Sequence, residues 1–314
     1  MNQVTTYRWS FDEDLHAYRD AGYSAVGVWK RKLVDFGVDK GAELIADCGL
    51  EVSSLSWAGG FTGDDATTTN ENLDEARRTL DMAEAINAAC VVLHPGCRNR
   101  HTRRHATRLL HSALDALLPH AAVAGVPIVL EPMHPACVGG WTFLTDLRET
   151  AALVAGYDSR WLRVAYDVYH AASCESAAAQ LDEIANLVGL VQIGDFAAAH
   201  TADADRCPLG EGRAPIRDVV TRLAAAGYEG ALEVELRGPA IEPADYPRVL
   251  QQSKAYLSRA CADAGQATRQ ASVSLAAAPA GGCSAPRARN AGRVATVEDL
   301  GGPKYRAELW RLTW

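Results

Sequence analysis

The chain has 314 residues, a formal net charge of −8, 48% hydrophobic and 22% charged residues. That length suits one large α/β domain or two small ones. No apolar run reaches the ~20 residues that span a bilayer, and the start, Met1 to Arg8, lacks the basic-then-apolar layout of a secretory signal. The expectation is a cytoplasmic protein with no membrane partner. Charge is uneven. From Gln266 onward seven basic residues face three acidic ones, a net of +4, which leaves −12 on the first 265 residues. Phosphate contacts need a basic face, so an acidic body argues against a nucleic-acid partner. The eight cysteines are scattered with no Cys-x-x-Cys pair, as expected of free thiols in a reducing compartment.

In chain order, short apolar runs alternate with amphipathic stretches up to about residue 262. The candidate strands are Val4–Arg8, Ala25–Trp29, Val52–Trp57, Val91–His94, Ile128–Glu131, Arg163–Asp167, Leu190–Ile193 and Ala231–Glu235. They are rich in Val, Ile and Leu, as strands buried on both faces should be. The intervening helices are expected at Asp12–Ala21, Lys40–Cys48, Asn70–Ile86, Thr102–Ala124, Phe143–Ala155, Ala177–Ile184, Pro215–Ala226 and Ala244–Ala262. Thr69 or Asn70 would cap the third of these. Gly22, Gly49, Gly125, Gly156 and Gly227 punctuate helix ends. Eight strand–helix units imply an α/β protein with a closed parallel (β/α)8 TIM barrel over residues 1–264. A doubly wound sheet is the weaker alternative, because no Gly-x-Gly-x-x-Gly follows the first strand. Residues 265–314 lose the apolar period and read as a low-complexity, disordered tail. Its last stretch, Tyr305 to Trp314, could form a short helix.

A barrel collects its chemistry at the C-terminal ends of its strands. In order these are Arg8, Trp29, Trp57, His94, Glu131, Asp167, Gln192 with Asp195, and Glu235. One acid ending an apolar strand is commonly a loop cap. Three carboxylates and an amide on the last four strands are different, since three acids converging on one mouth repel unless a cation sits among them. Glu131, Asp167, Gln192 and Glu235 would give an all-oxygen shell, suited to Mn²⁺ or Mg²⁺, with Co²⁺ or Zn²⁺ as alternatives.

Three segments carry a family resemblance: Ile128-Val129-Leu130-Glu131-Pro132-Met133-His134-Pro135, Tyr166-Asp167-Val168-Tyr169-His170, and Gly227-Tyr228-Glu229-Gly230 followed by Glu233-Val234-Glu235. Over about residues 5 to 260 the chain resembles the sugar phosphate isomerase/epimerase superfamily, with its xylose isomerase-like barrel. That group includes ketose 3-epimerases, hydroxypyruvate isomerase and inosose isomerases and dehydratases, with apurinic-site endonucleases as relatives. The resemblance implies that Glu131 and Glu235 are metal ligands and the acid/base pair, that Asp167 is a second ligand, and that His170 and Arg206 meet the substrate. The seventh-strand ligand is most often His in this family. Gln192 here is similar to the hydroxypyruvate-isomerase-like pattern. Family members also imply a homodimer or homotetramer.

Other residues stay open at this point. Endonuclease relatives have a metal-binding His in a context like Leu93-His94-Pro95-Gly96, but Ser56-Trp57 and Asp203–Arg206 supply none of the further His ligands. His94 therefore reads as a substrate-pocket group. His134 reads as the same or as a loop cap. Glu233 should share the face of Glu235 at a deeper, structural position. The basic run Arg98 to His105 is a solvated loop or a phosphate clamp. Trp57, Trp141 and Trp29 could wall a sugar or cyclitol ring, with core packing the alternative for Trp29.

The expected activity is metal-dependent isomerisation or epimerisation of a small sugar, keto-acid or keto-cyclitol, by proton abstraction next to a carbonyl through an enediolate. Rivals are a keto-inositol-type dehydratase, a metal-dependent phosphodiester hydrolase, and a barrel that binds a sugar without turning it over.

Overall fold

The computed structural model describes residues 1–63, 67–137, 141–171, 177–197 and 205–277. Among these, seven strands form one parallel sheet in chain order. They are β1 (Ala25–Trp29), β2 (Glu51–Gly59), β3 (Val91–His94), β4 (Ile128–Leu130), β5 (Leu162–Asp167), β6 (Val188–Ile193) and β7 (Leu232–Val234). The fold is a TIM barrel. The cysteines at 174 and 283 and the tail from 278, with its Tyr305–Trp314 segment, lie outside the described residues.

The gap between β1 and β7 is closed by the first three residues, not by Val4–Arg8. Asn2 bridges Gly27 in parallel register and its N–H donates to the Val234 carbonyl at 2.9 Å. Gln3 N–H donates to Gly27 O at 2.9 Å. The expected strand fails for a local reason. The Asn2 side-chain oxygen accepts from Val4 N–H at 3.0 Å and the Asn2 carbonyl accepts from Thr5 N–H at 3.1 Å. This Asx turn ends extended pairing at once. Arg8 is carried away to Tyr246 Oη and the Ala244 carbonyl.

Helices α1 (Phe11–Asp20), α3 (Val38–Cys48), α4 (Thr69–Ala85), α5 (Arg103–Ala124), α6 (Leu147–Gly156), α8 (Ala177–Ile184) and α9 (Ile216–Ala225) follow the periodicity of the sequence. Ser10 and Thr68 each make a capping box, with Glu13 and Glu71. The α4 cap is therefore Thr68, not Thr69 or Asn70. Asp146 caps α6 and sets its start later than Phe143. Gly156 stays helical, and Asp158, at φ 45°, takes the left-handed turn instead. Helix α2 (Lys30–Phe36) was not foreseen, because it grows out of β1 with no capping side chain to mark it. A short turn of helix, α7 (Val168–Ala171), follows β5, and the final helix α10 (Tyr246–Ala277) continues past residue 264.

The core has two apolar layers. Outward-facing strand residues such as Val91, Leu93, Ile128, Leu130, Val164 and Val191 pack on the helices. Inside the barrel a small cluster of Cys90, Val92, Val129, Ala165 and Leu190 fills one side, capped by Trp57. Strand alternation creates both layers.

Lys32 of α2 is tied to Asp14 of α1 by a buried ion pair at 2.6 Å, and Thr6 Oγ1 donates to the other Asp14 oxygen at 2.6 Å. Removing one partner of such a pair leaves an unmatched buried charge. Asp14→Ala is expected to cost about 3–5 kcal/mol, and the double change Asp14→Leu with Lys32→Met to recover most of it. Urea denaturation of both variants measures this, and an additive loss in the double variant would contradict it.

Candidate active site

The alternation that builds the inner layer also builds the site. Two residues beyond Val92, Val129, Ala165 and Leu190, on the same inward face, stand His94, Glu131, Asp167 and Gln192. Two residues beyond Glu233 stands Glu235. All five of these upper residues are buried.

Their contacts form one connected group. His94 Nε2 lies 2.7 Å from Glu131 Oε2. His170, on the turn α7, places Nε2 3.6 Å from Glu131 Oε1 and 3.8 Å from Asp167 Oδ2. Arg206 is fully buried and reaches in from the loop after β6. One of its terminal nitrogens donates to Asp167 Oδ2 at 2.9 Å, the other to Glu235 Oε1 at 3.1 Å and to the Glu235 carbonyl at 2.9 Å. Its guanidinium lies 4.6 Å from the Tyr169 ring centroid. Gln192 Nε2 donates to Glu235 Oε2 at 2.7 Å.

These neighbours drive the two glutamates apart. Burial alone would raise Glu131, but His94 beside it, the hydrogen bond between them, His170 and Arg206 together hold its carboxyl down at about 2. Burial raises Glu235 to about 8. Arg206 opposes that rise, and Glu131, Asp167 and Glu233 add to it.

The site is anchored by residues without a recognisable motif. Glu233 sits one layer deeper, as the sequence suggested, and accepts from Asn2 Nδ2 at 2.7 Å, Ser53 Oγ at 2.6 Å and Ser54 Oγ at 2.7 Å. It fits because Gly27 has no side chain: a Cβ there would lie 2.5 Å from the Glu233 carboxylate. Asn2 also reaches Glu235 Oε2 at 3.4 Å. Asp195 is a loop organiser. Its carboxylate accepts from the backbone N–H of Phe196, Gly210, Gly212 and Ala214 at 2.9 to 3.2 Å. That loop carries Arg206. Asp195 stands at a strand end in the sequence, but only its amide partners at Gly210, Gly212 and Ala214 reveal what it does.

Of the remaining candidates, Trp57 stacks with His94 at 5.9 Å between centroids and meets Trp141 at a tilt at 5.2 Å, and Trp141 meets His94 edge-on at 5.8 Å. These three rings form one wall beside Glu131. Trp29 takes no part in those ring contacts, and its N–H donates to Gln3. His134 Nδ1 accepts from Ala136 N–H at 3.1 Å, so it caps its own loop. The basic run is drawn into local contacts: His101 lies 3.0 Å from the Thr62 carbonyl, Arg103 pairs with Glu149, and Arg108 with His105.

The donor set fits a divalent cation. Glu131, Asp167 and His170 each offer a ligand atom, all within 4.8 Å of one another. Gln192 Oε1 is buried without a hydrogen-bond partner, and a buried amide oxygen without a donor is suited to take a cation. His170 thus joins the acids that the sequence singled out, while Glu235 is held by Gln192 and Arg206.

Compared with known proteins, residues 15–260 match the family described as the xylose isomerase-like TIM barrel, and the chain belongs to that family. No curated protein matches the sequence at a significant level. Among solved structures, the protein SMc04130 from Sinorhizobium meliloti 1021 aligns with a TM-score of 0.77 at 25% identity, over 83% of this chain and 97% of that one. The IolI protein with a bound zinc atom aligns at 0.74 and 18%, over 84% and 97%. An L-ribulose 3-epimerase aligns at 0.71 and 18%, over 90% and 98%. Among the described residues no helix is long and apolar enough to cross a membrane.

Each amide held by Asp195 should lose about 1–3 kcal/mol of protection when the carboxylate is removed. Asp195→Ala is expected to speed hydrogen exchange about tenfold or more at Phe196, Gly210, Gly212 and Ala214, with strand amides in β3 and β4 unchanged. Exchange confined to wild-type rates at those four would show that another group holds the loop.

Proposed function

We propose that this protein is a divalent-metal-dependent isomerase or epimerase of a small polyhydroxy carbonyl compound, acting by proton transfer at the carbon next to the carbonyl. The observation that carries this is the pair Glu131 and Glu235, buried one residue beyond β4 and β7 and linked through His170 and Arg206 to Asp167 between them. Two carboxyls whose surroundings push them apart are suited to the roles of base and acid near neutral pH. The fold of the family and its epimerase neighbours supports the same reading.

Glu131, Asp167 and His170, with Gln192 and Glu235 alongside, would hold the ion. A divalent ion, Mn²⁺ or Mg²⁺ by the oxygen-rich donor set, supplies electrostatic stabilisation for negative charge developing on substrate oxygens. The chain's own residues do the rest. Glu131 is ionised and takes the proton from carbon. His94 holds Oε2 of that carboxylate, which leaves Oε1 on the side of His170 and Asp167. Glu235, protonated, would deliver its proton to the opposite face of the same carbon, giving an epimer, or to the neighbouring carbon, giving an isomer once the hydroxyl proton has passed from one substrate oxygen to the other. Acid and base on strands three positions apart can reach the substrate from different sides. Arg206 would meet substrate oxygens, and Trp57 with Trp141 would form an apolar wall for the substrate ring.

The direct test is proton exchange in D2O. Metal-stripped protein is incubated with a panel of ketoses, hydroxypyruvate and inososes, with and without Mn²⁺, and the α-proton is followed by NMR. Metal-dependent wash-out is expected with one member of the panel. Glu131→Gln and Glu235→Gln should each lower it by about 10²- to 10⁴-fold while melting within a few degrees of wild type. Unchanged exchange in both variants overturns the assignment. A product lacking a β-hydroxyl moves the activity to dehydration, since the same first proton transfer then ends in expulsion of hydroxide.

A further inference from the structure

We propose that Arg206 is the resident counter-cation of this site and competes with a divalent ion for Asp167 and Glu235. This rests on the reading of the pocket as a cation site and adds to it a cation that the chain itself supplies.

The geometry carries the argument. Arg206 is among the largest fully buried side chains of the protein. Its two terminal nitrogens are shared between two acids on different strands, Asp167 at 2.9 Å and Glu235 at 3.1 Å. The nitrogen on Asp167 also lies 3.4 Å from His170 Nε2. Asp167 and His170 are two of the three residues whose ligand atoms cluster within 4.8 Å. The guanidinium therefore uses the Asp167 oxygen nearest the imidazole, which is the oxygen a bound ion would share with His170. A guanidinium stays charged at every accessible pH. It cannot step aside by losing its proton, so it yields only by moving. It is also firmly placed: its backbone N–H donates to the Arg237 carbonyl, and the next residue, Cys207, donates to the Asp195 carbonyl. Two cations a few ångströms apart with common lone pairs exclude one another.

Two consequences follow. The barrel should fold with no metal, because Arg206 already gives Asp167 and Glu235 a positive partner. Metal affinity should be lower than the donor set alone would give.

The experiment is calorimetric titration of chelator-treated full-length protein with MnCl2, repeated on Arg206→Met and Arg206→Lys. The Met change keeps bulk and removes charge. It is expected to tighten Mn²⁺ binding about tenfold or more, as loss of a competing charge requires. The Lys change keeps the charge and should stay within about threefold of wild type. Equal or weaker Mn²⁺ binding by the Met variant overturns the competition and leaves the cation-site reading standing, as does a Lys variant as tight as Met. No Mn²⁺ binding by any of the three proteins ends both. If the Met variant folds only with Mn²⁺ present, the melting temperature decides: chelation should unfold that variant and leave wild type folded. A wild type that unfolds on chelation refutes the resident-cation role.

Discussion

Three carboxylates cannot share one buried layer of a barrel without positive charge among them. Glu131, Asp167 and Glu235 are in that position, and the surrounding protein is organised around it. His94 answers Glu131, Arg206 answers Asp167 and Glu235, and His170 stands between Glu131 and Asp167. Each of these groups comes from a segment beyond a strand end or from the end itself, where the chain is free to turn inward. Asp195 then fixes the loop that brings Arg206 in, by accepting four backbone N–H groups that a loop of that shape would otherwise leave unmet. The loop is held by one acid so that its arginine can hold two others.

The layer below follows a different rule. Glu233 is also a buried acid, but its three hydrogen-bond donors, Asn2, Ser53 and Ser54, are all neutral. They come from the closing segment and from β2, so the carboxylate stitches the two sides of the seam between β7 and β1. Glu233 and Glu235 share a residue type, a strand and a face, yet one joins the barrel together and the other faces its chamber. The difference lies in what sits opposite: a glycine at Gly27 makes room for the first, and an arginine and an amide meet the second.

Much of this was legible in the sequence because alternation in a strand is strict. An inward residue two positions before Glu131, Asp167 or Gln192 is Val129, Ala165 or Leu190, so apolar floor and polar mouth are written in the same short runs. The barrel, the strand positions of β1 and β3, and the collection of His94, Glu131, Asp167, Gln192 and Glu235 at one level follow from that pattern. What escaped depends on pairings far apart in the chain. Asn2 gives no signal that its backbone closes a sheet with residue 234 while its side chain ends its own strand. Asp195 acts through amide partners that periodicity does not connect. Val4–Arg8 has strand composition, and one Asx turn overrides it. Lys30–Phe36 forms a helix with no cap to announce it. Polar contacts, some local and some far apart in the chain, set these outcomes, and apolar pattern is blind to both.

The contrast between Glu131 and Glu235 shows how identical side chains in one chamber acquire opposite tendencies. Both are buried, and burial favours the neutral acid in each. Glu131 has His94 on one oxygen and His170 near the other, while Glu235 shares Arg206 with Asp167, has Arg237 Nε at 3.8 Å, and feels the fields of Glu131, Asp167 and Glu233. At Glu235 burial and the neighbouring acids outweigh Arg206 and raise the carboxyl, whereas the neighbours of Glu131 outweigh its burial and lower it. Gln192 sharpens this. Its amide gives Glu235 a hydrogen bond but no charge, and turns its own oxygen toward no partner. An imidazole at that position could carry a positive charge beside Glu235; the amide cannot. Gln192 therefore adds no charge beside Glu235, and the height of that carboxyl is left to burial, Arg206 and the neighbouring acids.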